Sequence, residues 1–171
     1  MKEYKQIKGD VTEPIGEGNK IIVHVTNSIF VMGSGVALAI KRKWPIVYSK
    51  YKDWRNQAPK LGDVQFVKVG PELAVANILG QEGVGFTDGV APIRYGAMDK
   101  GLGKVGEIAK KFDASVHLPY KMGADRAGGE WSKIEEMIKK NICEQDIEVI
   151  IYEFNQVDSS LNRREDWEKH E

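Results

Sequence analysis

Two glycine-centred loops, each set between an apolar run and a segment of helical period, restrict this chain more than any other feature. The first, Met32-Gly33-Ser34-Gly35-Val36-Ala37, follows Ile21-Ile22-Val23-His24-Val25-Thr26-Asn27. The second, Met122-Gly123-Ala124-Asp125-Arg126-Ala127-Gly128-Gly129-Glu130-Trp131, follows Val116-His117-Leu118-Pro119. Residues without a Cβ let backbone N–H groups converge on an anion, and a helix that follows adds its positive dipole end. One such loop alone is more often plain turn chemistry than a phosphate site. Two in matching context point to a ligand with more than one phosphate. Neither GxxxxGK followed by Ser or Thr nor GxGxxG occurs, so P-loop and Rossmann readings lose their main support.

Short apolar runs alternate with longer stretches of helical period along the chain. Strands are expected at Tyr4 to Lys8, Ile21 to Thr26, Val64 to Val69, Leu73 to Leu79, Ser115 to Leu118 and Glu148 to Tyr152. Helices are expected at Gly35 to Lys43, Ile46 to Gln57, Tyr95 to Phe112 and Trp131 to Ile142. In the third of these, Met98, Leu102, Val105, Ile108, Ala109 and Phe112 fall on one stripe. Pro45 is tolerated in a first helical turn, so Trp44-Pro45 separates two helices. The short Gly70-Pro71-Glu72 connection makes its two flanking strands an antiparallel hairpin. Strands bounded by helices on both sides imply an α/β fold, a three-layer αβα sandwich around a mixed sheet of about six strands.

Composition narrows the function classes. The chain has 171 residues, 42% of them hydrophobic and 29% charged, enough for one domain with a substantial core. Residues 1–156 are read as that domain and the charged residues 157–171 as a solvated tail or short terminal helix. Basic and acidic side chains balance at 25 each. No basic block stands out, so sequence-independent nucleic-acid binding is not expected. Cys143 is the lone cysteine, with no His or Cys partner at ligand spacing, and neither a metal site nor a cofactor is expected. With no membrane-length apolar run and no signal-peptide core, the expectation is a cytoplasmic protein without membrane contact, and a monomer.

The stretch Lys8-Gly9-Asp10-Val11-Thr12, then His24-Val25-Thr26-Asn27-Ser28, then Met32 to Ile40, resembles the opening of a macrodomain. That family has a "GDI/V-T" turn, an "N-A-A-N" strand end and a "G-G-G-V-A-x-A-I" loop in this order. Met122 to Trp131 is similar to the "I-G-C-G-L-A-G-G-D-W" loop of the branch that processes ADP-ribose 1''-phosphate. The resemblance spans about Lys5 to Phe154 and implies an ADP-ribose cleft at the strand ends, where open α/β sheets bind ligands. Under it, Asp10 accepts a hydrogen bond from the adenine amino group, with the Val11 N–H beside it. Asn27 turns its amide to the distal ribose. Gly33, Ser34, Gly35 and Val36 in one loop, and Gly123, Ala124, Asp125, Arg126, Ala127 and Gly128 in the other, wrap the diphosphate and that ribose. Phe154 packs on adenine. Each has a plainer reading: Asp10 as a turn or N-cap residue, Asn27 as a strand terminator, Phe154 as a core aromatic.

Departures from the family pattern bear on the chemistry. Ala37 stands where one hydrolase branch has an acid, and Ile78-Leu79-Gly80-Gln81 lacks the lysine nucleophile of the terminal glycohydrolases. Catalytic candidates are His24, Asp125 and Asn27. His24 is either a satisfied core histidine or the group that positions water at the distal phosphate; Asp125 is either a turn partner of Arg126 or a catalytic acid. The function implied is metal-free hydrolysis at the distal ribose of ADP-ribose derivatives, the 1''-phosphate foremost. The alternatives are an ADP-ribose-binding module without turnover, and a hydrolase that removes mono-ADP-ribose from protein or nucleic acid.

Overall fold

The computed structural model describes residues 2–124 and 127–154. Its strands are β1 (Lys5–Lys8), β2 (Lys20–Asn27), β3 (Val64–Gly70), β4 (Leu73–Gln81), β5 (Ser115–Pro119) and β6 (Val149–Glu153). Its helices are α1 (Gly35–Lys43), α2 (Pro45–Trp54), α3 (Tyr95–Lys111) and α4 (Trp131–Asn141). The helix expected to run to Gln57 ends at Trp54 and continues as one 3-10 turn, Arg55–Gln57. Pro59 disfavours the helical conformation at Ala58, which adopts φ +48.

All six strands share one sheet in the order β1-β6-β5-β2-β4-β3. Every neighbouring pair is parallel except β3 with β4, the expected hairpin. The carboxyl ends of β1, β2, β4, β5 and β6 therefore lie along a single edge.

Alternation along the strands divides the core in two. Ile21, Val23, Ala76, Ile78, Val116 and Leu118 face α3 and α4, packing on Met98, Leu102, Ile134 and Ile138. Ile22, Val75 and Leu79 face α1 and α2, packing on Ile40, Val47 and Tyr51. These are the two outer layers of the sandwich.

A polar chain crosses the α1/α2 face. The backbone N–H of Ile15 donates to the Tyr152 hydroxyl at 3.0 Å, so that hydroxyl directs its own proton to His117 Nδ1 at 2.7 Å. His117 Nε2–H is then left for Ser115 Oγ at 2.8 Å. Every member is satisfied, and the β1–β2 loop is tied to the sheet. Burial, with the charge of Lys20 as a lesser cause, lowers the His117 pKa to about 4.

Candidate functional site

The chain leaves β2 toward α1 on one face of the sheet and leaves β5 toward α4 on the other. Since β2 and β5 are neighbours, the two connections part at the strand ends and open a crevice, the geometry in which open α/β sheets hold ligands. The two glycine loops follow these neighbouring strands, loop one after β2 and loop two after β5.

Loop one is held from below. Asn27 Nδ2 donates to Val31 O at 2.8 Å, and Asn27 Oδ1 accepts from the N–H groups of Ile29 and Val31, each at 3.2 Å. The buried Tyr51 hydroxyl donates to Asn27 O at 2.6 Å and accepts from Asn27 N at 3.1 Å. Phe30, at φ +60, sits against Tyr51 and meets Trp54 edge-on. The strand-terminating role of Asn27 thus engages both ends of its amide within the loop. Beyond this anchor the chain is open. Gly33 lies outside the positive-φ region, and a Cβ built there meets nothing within 4 Å. The fold itself therefore places no demand for glycine at that position. Gly35 has φ +59, and α1 begins after Ser34 with no side-chain cap and no acid in its first turn. Its first N–H groups have no side-chain acceptor from the cap residue Ser34.

Loop two folds on itself through Gly129 N–H to Gly123 O at 2.9 Å and meets the β4–α3 connection through Ile93 N–H to Ala127 O at 3.1 Å. Asp125 and Arg126 lie outside the described residues; Ala124 and Ala127 flank them.

A third wall was not anticipated. Residues 81–93 form a hairpin with bridges Gln81–Ile93 and Thr87–Val90, turning at Asp88 (φ +52) and Gly89 (φ +79). Two positive-φ residues of this type make the turn whose twist matches a hairpin. Gly83 N–H donates to Ser28 Oγ and Ser28 N–H to Gln81 O, each at 2.9 Å, tying the hairpin to loop one. Its Phe86, 62% exposed, covers Gly128 so closely that a Cβ there would lie 2.7 Å from the ring. The available signal was the Asp88-Gly89 pair.

His24 is 2% exposed, on the α1/α2 face of β2. Its tautomer follows from a chain of amides. Lys50 O accepts from Gln65 Nε2 at 2.9 Å, Gln65 Oε1 accepts from Asn77 Nδ2 at 3.0 Å, and Asn77 Oδ1 therefore faces His24 Nε2 at 2.5 Å. The proton sits on Nε2. Nδ1 is a buried acceptor with no partner among the described residues. Burial lowers the pKa to about 4, against the opposing pull of Asn77, so the ring is neutral at pH 7.

Asp10 Oδ1 accepts from Thr12 N at 2.9 Å and Thr12 Oγ1 at 2.7 Å, the turn role, and the buried Val11 side chain follows it. The carboxyl ends of β1 and β6 are neighbours, so Asp10 and Phe154, which is 54% exposed, lie beyond adjacent strands. No group of three or more His, Cys, Asp or Glu able to hold a metal occurs among the described residues, and no described helix is long and apolar enough to cross a membrane.

No protein-family model matches the chain. A macrodomain protein from Streptomyces coelicolor shares 39% identity over 88% of this chain and 98% of its own, with a TM-score of 0.77. DarTG of Thermosipho africanus, solved in complex with ADP-ribose, matches at 20% identity and a TM-score of 0.67 over 79% of this chain and 38% of that one. The mouse chromodomain-helicase-DNA-binding protein 1-like is 31% identical over 86% of this chain, which spans only 17% of that protein's length.

Proposed function

Because the chain belongs to the macrodomain family, we propose that it binds ADP-ribose in the crevice between β2 and β5, with the diphosphate between the two glycine loops. The observation that carries this reading is Gly33. Among the described residues its missing Cβ answers no contact and no backbone strain, while it stands just ahead of an uncapped helix terminus. A ligand's diphosphate would account for that glycine. The neighbour solved with ADP-ribose supports the choice of ligand. Asn27 acts as a positioning residue that shapes loop one. Asp10, through Oδ2, and Phe154 would receive the adenine end. Asp125, Arg126 and Ala127 would lie toward the distal ribose.

Titration calorimetry tests the proposal. ADP-ribose is expected to bind, and Gly33→Ala, whose Cβ meets no described atom within 4 Å, is expected to fold normally and lose at least about tenfold in affinity, as is the bulkier Gly33→Val. Absence of binding, or full affinity in Gly33→Val, refutes it.

Hydrolysis of ADP-ribose 1''-phosphate is the second reading, favoured by the buried Nδ1 of His24, which has no partner among the described residues. A neutral ring with a fixed tautomer can take a hydrogen bond from water, and Asp125 is the candidate acid. Phosphate release from ADP-ribose 1''-phosphate, reduced in Asp125→Ala and in His24→Ala, supports turnover. Release of ADP-ribose from modified protein or nucleic acid instead assigns the other hydrolase activity, and tight binding with neither release assigns a binding module.

A further inference from the structure

The even balance of charge over the whole chain conceals a local excess. Residues 41–60, from the end of α1 through α2 to the turn beyond it, hold seven Lys or Arg and one acid, Asp53. Helical geometry gathers part of that charge. α2 buries Val47, Tyr51 and Trp54, so Tyr48, Lys52 and Arg55, spaced by four and three, form the stripe beside its buried face. α1 extends the stripe: Lys41 Nζ stands 4.1 Å from the Tyr48 ring centroid, and Lys52 Nζ 5.4 Å. Lys43 lies over Trp44 at 5.1 Å. Among the described residues none of the cations in 41–60 joins an ion pair, whereas Lys100, Lys104, Lys139 and Lys140 each do.

We infer that this α1–α2 face binds the phosphodiester backbone of a nucleic-acid strand, independently of the crevice and of the function proposed for it. Cations without carboxylate partners are free to neutralise phosphates and release counterions. The half-buried Tyr48 and Trp44 rings hold the Lys41, Lys52 and Lys43 ammonium groups together on this face. An acidic protein partner fits the face less well. A stable protein interface needs an apolar centre, and Ile46 is the one exposed large hydrophobic side chain that the described residues place here.

The test is fluorescence anisotropy of the full chain with labelled oligothymidine and oligouridine of about 20 nucleotides, the two arms separating DNA from RNA, with polyglutamate as the acidic polypeptide control. Binding to an oligonucleotide is expected, weakening about tenfold or more between about 50 and 200 mM salt. The combined variant Lys41→Glu, Lys52→Glu, Arg55→Glu is expected to lose at least about tenfold in affinity. A charge-matched control on α3, Lys104→Glu, Lys110→Glu, Lys111→Glu, is expected to retain it. The heat of ADP-ribose binding is read in parallel and should be the same in the α1–α2 variant as in the wild type. Should the triple variant not fold, Lys52→Gln and Arg55→Gln, both exposed and in no ion pair among the described residues, replace it, with a loss of about two- to threefold each. No binding at about 50 mM salt, undiminished binding by the variants, or tighter binding of polyglutamate overturns the inference.

Discussion

Two histidines with the same burial illustrate how differently a buried imidazole can be completed. His117 has both nitrogens engaged, by Tyr152 and Ser115. His24 has one engaged and one without a partner among the described residues. Both rings are held neutral, their pKa values lowered from 6.5 to about 4. The sign of the consequence follows from linkage. Below pH 6.5 the unfolded chain takes up a proton at each ring while the folded protein does not, so this stability is complete above pH 6.5 and is lost as pH falls toward 4. The slope is about 1.4 kcal/mol per pH unit per histidine, or about 3 kcal/mol each across the window. Asp99 has a lowered pKa, held chiefly by its hydrogen bond from Lys140, so its contribution fades only at lower pH, near and below the ordinary carboxylate value. Urea midpoints between pH 7 and 4.5 should fall accordingly, and His117→Gln or His24→Gln should remove about half of the slope. An unchanged slope in both variants would assign the acid sensitivity to other groups.

At the scale of elements, the packing of α3 on α4 gives two glycines opposite meanings. A Cβ on Gly106 would lie 2.3 Å from the backbone oxygen of Asn141, whereas one on Gly103 would meet only Asn141 Oδ1, at an ordinary 3.4 Å. Asn141 has no room to retreat, since Nδ2 donates to Asp99 Oδ1 and to Met137 O, both at 2.9 Å. Gly106→Ala should therefore destabilise by about 1–3 kcal/mol through overpacking. Gly103→Ala should stabilise by up to about 1 kcal/mol through helix propensity. Thermal melts of the two variants should shift in opposite directions, and a shared direction would show that the helices do not approach as described. These helices were legible beforehand, because the stripe from Met98 to Ala109 repeats at the helical period over about three turns. The hairpin at 81–93 was not. Gly83, Gly85 and Gly89 interrupt any alternation, Val84, Phe86 and Val90 are exposed instead of pointing to a core, and its pairings are two isolated bridges. The Asn77 partner of His24 was hidden for a related reason. It depends on the β2–β4 register His24↔Asn77, a relation between residues 53 apart that neither strand encodes alone.

At the scale of the whole molecule, strand order decides whether the two glycine loops can serve one ligand. Local pattern marks each strand and each loop, but no periodicity tells which strand lies beside which. That is settled by crossovers, and here α3 carries the chain from β4 past β2 to β5, so strands far apart in sequence become neighbours with their exits on opposite faces. The order of the motifs was readable; that they follow neighbouring strands required the sheet. That adjacency makes a prediction that neither loop makes alone. A ligand held between residues 33–36 and 123–128 must slow amide exchange in both segments together, and the hairpin at 81–93 should share in it, being bonded to loop one through Ser28 and to loop two through Ala127. Hydrogen exchange with saturating ADP-ribose should show this threefold protection, accompanied by a gain in global stability of about 2.7 kcal/mol at a ligand concentration of about 100 times Kd. Exchange in β1 and β3, at the two margins of the sheet, should change only by that global amount. Protection confined to one glycine loop would place the ligand outside the crevice and separate the two motifs that the strand order brings together.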